Sequence, residues 1–121
     1  KNPQAQYLLG TYYMTQVSNK YSRMKTKFWF QKALENNYAP AGYSLGLYLL
    51  KQGPKKNKQA IEILLVSAKL DCPFSQYLLG TLDSSYSSLQ EQAQKQGIDW
   101  EAYIRHEDYI LHMNSVFLEK E

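Results

Sequence analysis

A chain of 121 residues and 14.1 kDa suits one compact domain or a short piece of an elongated one, and a hydrophobic content of 44% argues against disorder. No run of eighteen apolar residues occurs, so no membrane-spanning helix is expected, and the single cysteine, Cys72, excludes an internal disulfide. The net charge of +3 conceals a split: residues 1–70 carry eleven Lys/Arg against two acids, whereas residues 71–121 carry three against nine.

In chain order, a first helix is predicted from Pro3 to Gln16, with proline at a first-turn position where its missing N–H is no loss. "VSNKYS" makes a polar connection to a second helix over Ser22 to Glu35, whose expected apolar face is Met24, Phe28, Trp29, Ala33 and Leu34. That helix stops at "ENNY", where Asn36 or Asn37 can take the left-handed conformation. A third helix runs from Pro40 to Gln52 and ends at the Gly-Pro break of "GPKKN". "KQAIEILLVSAKL" returns as a fourth, apolar at Ala60, Ile61, Leu64, Leu65 and Ala68, until "DCP" breaks it.

Pro73 opens a fifth helix reaching about residue 84, followed by the polar "SSYSS". "SLQE" reads as a capping box, Ser88 the cap and Glu91 reaching back, for a short helix ending at Gly97. Asp99 should then cap a final helix with Trp100 at its start and apolar residues at 103/110/117 and 104/111/118. Glu101, Arg105, Asp108 and Glu119 would face outward.

Three stretches repeat: "AQYLLG" at 5–10, "AGYSLG" at 41–46 and "SQYLLG" at 75–80. Their glycines, Gly10, Gly46 and Gly80, are spaced by 36 and 34 residues, a period of helical-hairpin arrays. Ala5, Ala41 and Ser75 share one slot, Tyr7, Tyr43 and Tyr77 a second, and Leu9, Leu45 and Leu79 a third. Small residues and glycine at these places let two helices approach closely. The expected fold is all-α: a right-handed α-solenoid of two to three helix-turn-helix repeats with a C-terminal capping helix. Residues 1–83 hold the repeats, with hairpin 1 about 3–37, hairpin 2 about 39–71 and the first helix of a third about 73–84. Residues 84–121 would be a degenerate third repeat and an acidic capping helix.

These motifs resemble the Sel-one-like repeat family, relatives of tetratricopeptide repeats. Ala5, Leu9, Gly10 and Tyr13 match its first-helix pattern, Trp29, Lys32 and Ala33 its second, and Ala41, Leu45 and Gly46 the next copy, with Leu49 in the tyrosine slot. Ile63, Ser67 and Ala68 stand where the family has Trp and Ala-Ala, and Asn37 and Asp71 replace its terminal glycine. The resemblance covers residues 1–83 well and the remainder poorly. It implies a non-enzymatic protein-binding platform of the bacterial periplasm or cytoplasm, in concrete form an immunity protein that neutralises a cognate secreted antibacterial effector. An assembly scaffold is the alternative. Because Ala5 lies so close to Lys1, a leader, an anchor or further repeats are expected before it.

In such arrays the first helix of each hairpin lines a concave face. The resemblance therefore implies a partner surface of Tyr7, Thr11 and Met14, then Tyr43, Leu47, Leu50 and Lys51, then Phe74, Tyr77, Thr81 and Ser84. The three tyrosines also read as ordinary packing residues of the repeat, and the C-terminal helix could fill the groove. A basic edge is expected from Lys20, Arg23, Lys25 and Lys27 with Lys55, Lys56 and Lys58 one repeat later, which suits an acidic partner. No nucleic-acid module is recognisable. Catalysis finds little footing: Cys72 reads as a structural thiol, and His106 and His112 lie six apart and point to different sides of a helix. No phosphate loop occurs, and neither metal nor cofactor is expected.

Overall fold

A computed structural model describes residues 2–103 and 105 of the chain. Six α-helices follow in order among them: α1 (Pro3–Met14), α2 (Lys20–Glu35), α3 (Ala39–Leu50), α4 (Asn57–Lys69), α5 (Pro73–Leu82) and α6 (Ser87–Gln94). Single 3-10 turns at Pro54–Lys56 and Ser84–Tyr86 precede α4 and α6, and another helical segment starts at Trp100. The described residues contain no strand. Helices pair in chain order: α1 on α2, α3 on α4 and α5 on α6, with α2 packed on α3 and α4 on α5.

The repeated glycines are where each pair crosses. A Cβ on Gly10 would sit 2.5 Å from the Phe30 ring, one on Gly46 2.6 Å from Leu64, and one on Gly80 2.4 Å from the Gln90 Cβ. Only hydrogen fits at these points, so the recurring "LG" spelling is a steric condition for the hairpin. It also identifies α6 as the counterpart of α2 and α4, on a shorter connection.

Turns between hairpins repeat as well. Asn37 and Asp71 adopt φ of 67° and 68°, each just past a second helix. After α2, Asn37 donates its N–H to Leu34 (2.9 Å) and Tyr38 to Ala33 (3.0 Å); after α4, Asp71 donates to Ala68 (3.0 Å) and Cys72 to Ser67 (3.3 Å). Both are Schellman closures, which satisfy the last carbonyls of the helix and turn the chain into the next one.

One core threads the three hairpins: Phe30 from the first, Leu45, Leu49, Leu50, Ala60, Leu64 and Ala68 from the second, and Leu78 and Leu79 from the third. The small-residue slot carries a polar variation. Ala33 and Ala41 meet apolar at the first junction. At the second, Ser75 donates to Ser67 (2.7 Å) and Ser67 to the Ala39 carbonyl (2.7 Å), both serines wholly buried. Paired in this way, the hydroxyls avoid the desolvation penalty of a lone buried polar group.

Two expectations are corrected. The buried stripe of α2 is Ser22, Thr26, Phe30, Ala33 and Leu34, while Met24 and Phe28 face solvent. Ser22 and Thr26 are tolerated inside because their hydroxyls donate to Val17 (2.9 Å) and Ser22 (2.8 Å) carbonyls. The box at Ser88 and Glu91 does not form, because α6 already starts at Ser87 with no side-chain cap. The cap lies earlier, where Asp83 accepts from the N–H (3.0 Å) and hydroxyl (2.9 Å) of Ser85. A true capping box instead opens α2: Asn19 accepts from the Ser22 N–H (2.9 Å), and its own N–H donates to the Ser22 hydroxyl (3.1 Å).

Candidate functional site

The face built by the first helices is an aromatic strip, and half of it is already occupied. On hairpin 1, Tyr7 packs on Phe30 and Tyr38, with centroids 5.6 and 5.3 Å away, and its hydroxyl lies 3.2 Å from that of Ser44. Further along, Trp100 stacks on Tyr77 at 4.5 Å and lies edge-on to Phe74 at 6.0 Å. Tyr103 stacks on Phe74 at 5.5 Å and accepts a hydrogen bond from the Tyr43 hydroxyl at 3.0 Å. Asp99 starts this segment by accepting from the Ala102 N–H at 3.1 Å. Each such ring pair adds about 0.5–1.5 kcal/mol beyond area burial, so Trp100 and Tyr103 hold residues 99–103 on Tyr43, Phe74 and Tyr77.

The residues expected to meet a partner therefore divide. Leu50 is only 1% exposed and belongs to the core, which removes it from any binding face; its slot points into the crossing of α3 with its neighbours. Leu47 is half-buried against that core, Tyr77 is buried, and Tyr43 and Phe74 lie beneath Trp100 and Tyr103. Thr11 spends its hydroxyl on the Tyr7 carbonyl (3.1 Å) and Thr81 on that of Tyr77 (3.2 Å). Met14, Lys51, Thr81 and Ser84 are exposed. Residues 106–121, with His106, His112, Asp108 and Glu119, lie outside the described residues.

On the basic edge, Lys20, Arg23, Lys55 and Lys58 are exposed, and Lys25, Lys27 and Lys56 half-buried. Neither α2 nor α4 has an acid in its first turn, so lysines and helix dipoles add to one positive potential. Lys32–Glu35, at 4.0 Å, is the sole ion pair among the described residues. The Lys25 ammonium rests 5.6 Å from the Tyr21 ring centre and 5.9 Å from that of Phe28, and Lys32 lies 5.7 Å from Phe28.

Two hollows adjoin this edge. A groove of about 510 Å³ has α2 and α4 as walls and α3 as floor, lined by Met24, Lys27, Phe28, Lys32, Leu45 and Leu49 among others. A cleft of about 300 Å³ lies at the open end of hairpin 1 among Tyr12, Tyr13, Val17 and Tyr21. There the Tyr13 hydroxyl is hydrogen-bonded to Tyr21, which together with partial desolvation raises its pKa above the ordinary tyrosine value. The groove was missed in the sequence because Met24 and Phe28 sit four apart, the same signal a buried stripe would give.

Among the described residues no cluster of three metal-ligating side chains occurs, and no helix is long and apolar enough to cross a membrane. Cys72 is a buried free thiol at the turn into α5. Comparison with family models, curated proteins and solved structures gives no match for this chain.

Proposed function

We propose that the chain is a non-catalytic protein-interaction module, a short right-handed solenoid of Sel-one-like hairpins that binds a second protein through the open side of its first hairpin. Repetition of the glycine crossings, the Schellman turns and the chain-order packing supports the solenoid. The observation that carries the binding role is that the exposed large apolar side chains gather on hairpin 1, among them Leu8, Tyr12, Val17, Tyr21, Met24 and Phe28, with only Val66 elsewhere among the described residues. Isolated exposed apolar residues are ordinary, but a group of them beside hollows is what interaction surfaces present.

Neutralisation of a cognate secreted effector by occlusion is the concrete form of this reading, and it rests on the family resemblance. The test mixes the purified chain with any secreted effector found encoded beside its gene, and the lack of one counts against neutralisation. Loss of effector activity at equimolar protein supports neutralisation, whereas a stable complex that retains activity points to the scaffold role. Tyr12→Ser with Val17→Ser, both exposed, should weaken that complex at least tenfold while helicity measured by circular dichroism stays unchanged. Undiminished affinity would move the interface off hairpin 1.

A further inference from the structure

Resting on the module reading, we propose that the groove between α2 and α4 is a docking site for an acidic amphipathic helical segment of a partner protein. Its apolar part is ready-made. Leu45 and Leu49 close its bottom with only 3% and 1% of their surfaces exposed, so the apolar contact surface is Met24 (56% exposed) and Phe28 (47% exposed), one helical turn apart at the wall. The lining runs from Met24 to Glu35 along α2, about 16 Å at 1.5 Å per residue, which matches three turns of a docked helix. Apolar side chains spaced i, i+4 and i+7 on such a helix would straddle Met24 and Phe28 above that bottom.

Charge selects among possible occupants. Lys27 and Lys32 line the groove, Lys25 lies beside it with its ammonium 5.9 Å from the Phe28 ring centre, and Lys25 and Lys27 have no ion-pair partner among the described residues. Their ammonium groups are available to carboxylates without breaking an existing pair. The single acid at the rim, Glu35, is already engaged by Lys32 and by the Gln31 amide at 3.4 Å. An anionic membrane also likes lysines among aromatic rings, but the apolar wall here lines a groove between two helices, where a lipid surface cannot follow it. Nucleic acid would leave that wall unused.

The experiment pans a displayed library of random 16-residue peptides against the whole chain, then measures synthetic consensus peptides by fluorescence anisotropy. Enrichment of Asp/Glu together with Leu, Ile, Met or Phe at helical spacing is expected. Affinity should fall at least tenfold in Met24→Ser/Phe28→Ser, fall three- to tenfold in Lys25→Gln/Lys27→Gln, and weaken with added salt. All four side chains are exposed or half-buried, so circular dichroism should confirm an intact fold. Binders lacking acids, or binders indifferent to these substitutions, overturn the groove and leave the module standing. A library that yields no binder overturns both. Displacement of the peptide by phosphatidylserine vesicles or a single-stranded oligonucleotide at lower concentration than by free peptide reassigns the surface and overturns the proposal. So does sedimentation showing a wild-type dimer that Phe28→Ser dissociates.

Discussion

Hairpins 1 and 3 begin with nearly the same letters, "AQYLLG" and "SQYLLG", yet they sit in opposite surroundings. Leu9 is 40% exposed whereas its counterparts Leu45 and Leu79 are 3% and 0% exposed, because α2 and α4 pack against α3 and α5 and no described residue packs on that side of α1. Tyr77 is stacked under Trp100, whereas Tyr7 packs on Phe30 and Tyr38 and meets the Ser44 hydroxyl but carries no such ring over it among the described residues. Among the described residues, hairpin 3 has its aromatic rings packed under Trp100 and Tyr103, while Tyr12, Tyr21 and Phe28 of hairpin 1 are exposed. Identical repeat letters set how a hairpin closes; what lies against it decides whether it is free to bind.

The contrast can be broken most severely at the covered end. Trp100→Ala with Tyr103→Ala should destabilise the fold by about 3 kcal/mol, seen as a lower urea midpoint, and should expose Tyr77 and Phe74 to an apolar dye. No loss of stability would mean that hairpin 3 stands without its cover. Next comes the shared closure. Gly46→Leu forces a side chain onto Leu64 and should cost about 1–3 kcal/mol by overpacking, measured by thermal melting.

Smaller and opposite in sign, Asn37→Gly and Asp71→Gly each relieve a left-handed non-glycine residue and should stabilise by about 1 kcal/mol. Equal gains at the two junctions would show that the turns are equivalent although the hairpins they join are not. At the open end, Phe28→Ser should alter stability by no more than about 0.5 kcal/mol, which is the signature of a side chain retained for something other than folding.

Smallest is a pH effect at the start of the third hairpin's turn. The N–H and hydroxyl of Ser85 hold the Asp83 carboxyl below its ordinary value of 3.8. Its folded pKa being depressed, the cap's contribution is present above that value and fades as pH falls through the lowered one. Asp83→Asn should therefore flatten the acid limb of the melting-temperature profile below roughly pH 4 and leave neutral pH nearly unchanged.

Much of the architecture was legible because it is steric. Glycines at 10, 46 and 80, prolines at 3, 40 and 73, and Asn37 and Asp71 each permit few conformations, so their spacing announces crossings, starts and turns. What periodicity obscured was the orientation of α2. Buried Ser22 and Thr26 look polar on paper and exposed Met24 and Phe28 look like core, since local hydroxyl-to-carbonyl bonds make small polar residues cheap to bury. The start of α6 was misplaced for a related reason: the 3-10 turn after Asp83 supplies a cap that no simple Ser-x-x-Glu spacing reveals. Slot-by-slot transfer of a concave face failed at Leu50 because register along a helix does not report which neighbours lie over a slot.

The face-to-face seat of Trp100 on Tyr77 also equips the molecule with an intrinsic optical gauge. With Trp29→Phe removing the only other indole, emission would come from that one ring alone. A shift of its spectrum to longer wavelength on mixing with a candidate partner would report undocking of Trp100 from Tyr77, and a constant spectrum would place the event at the far end, with no label attached to the protein.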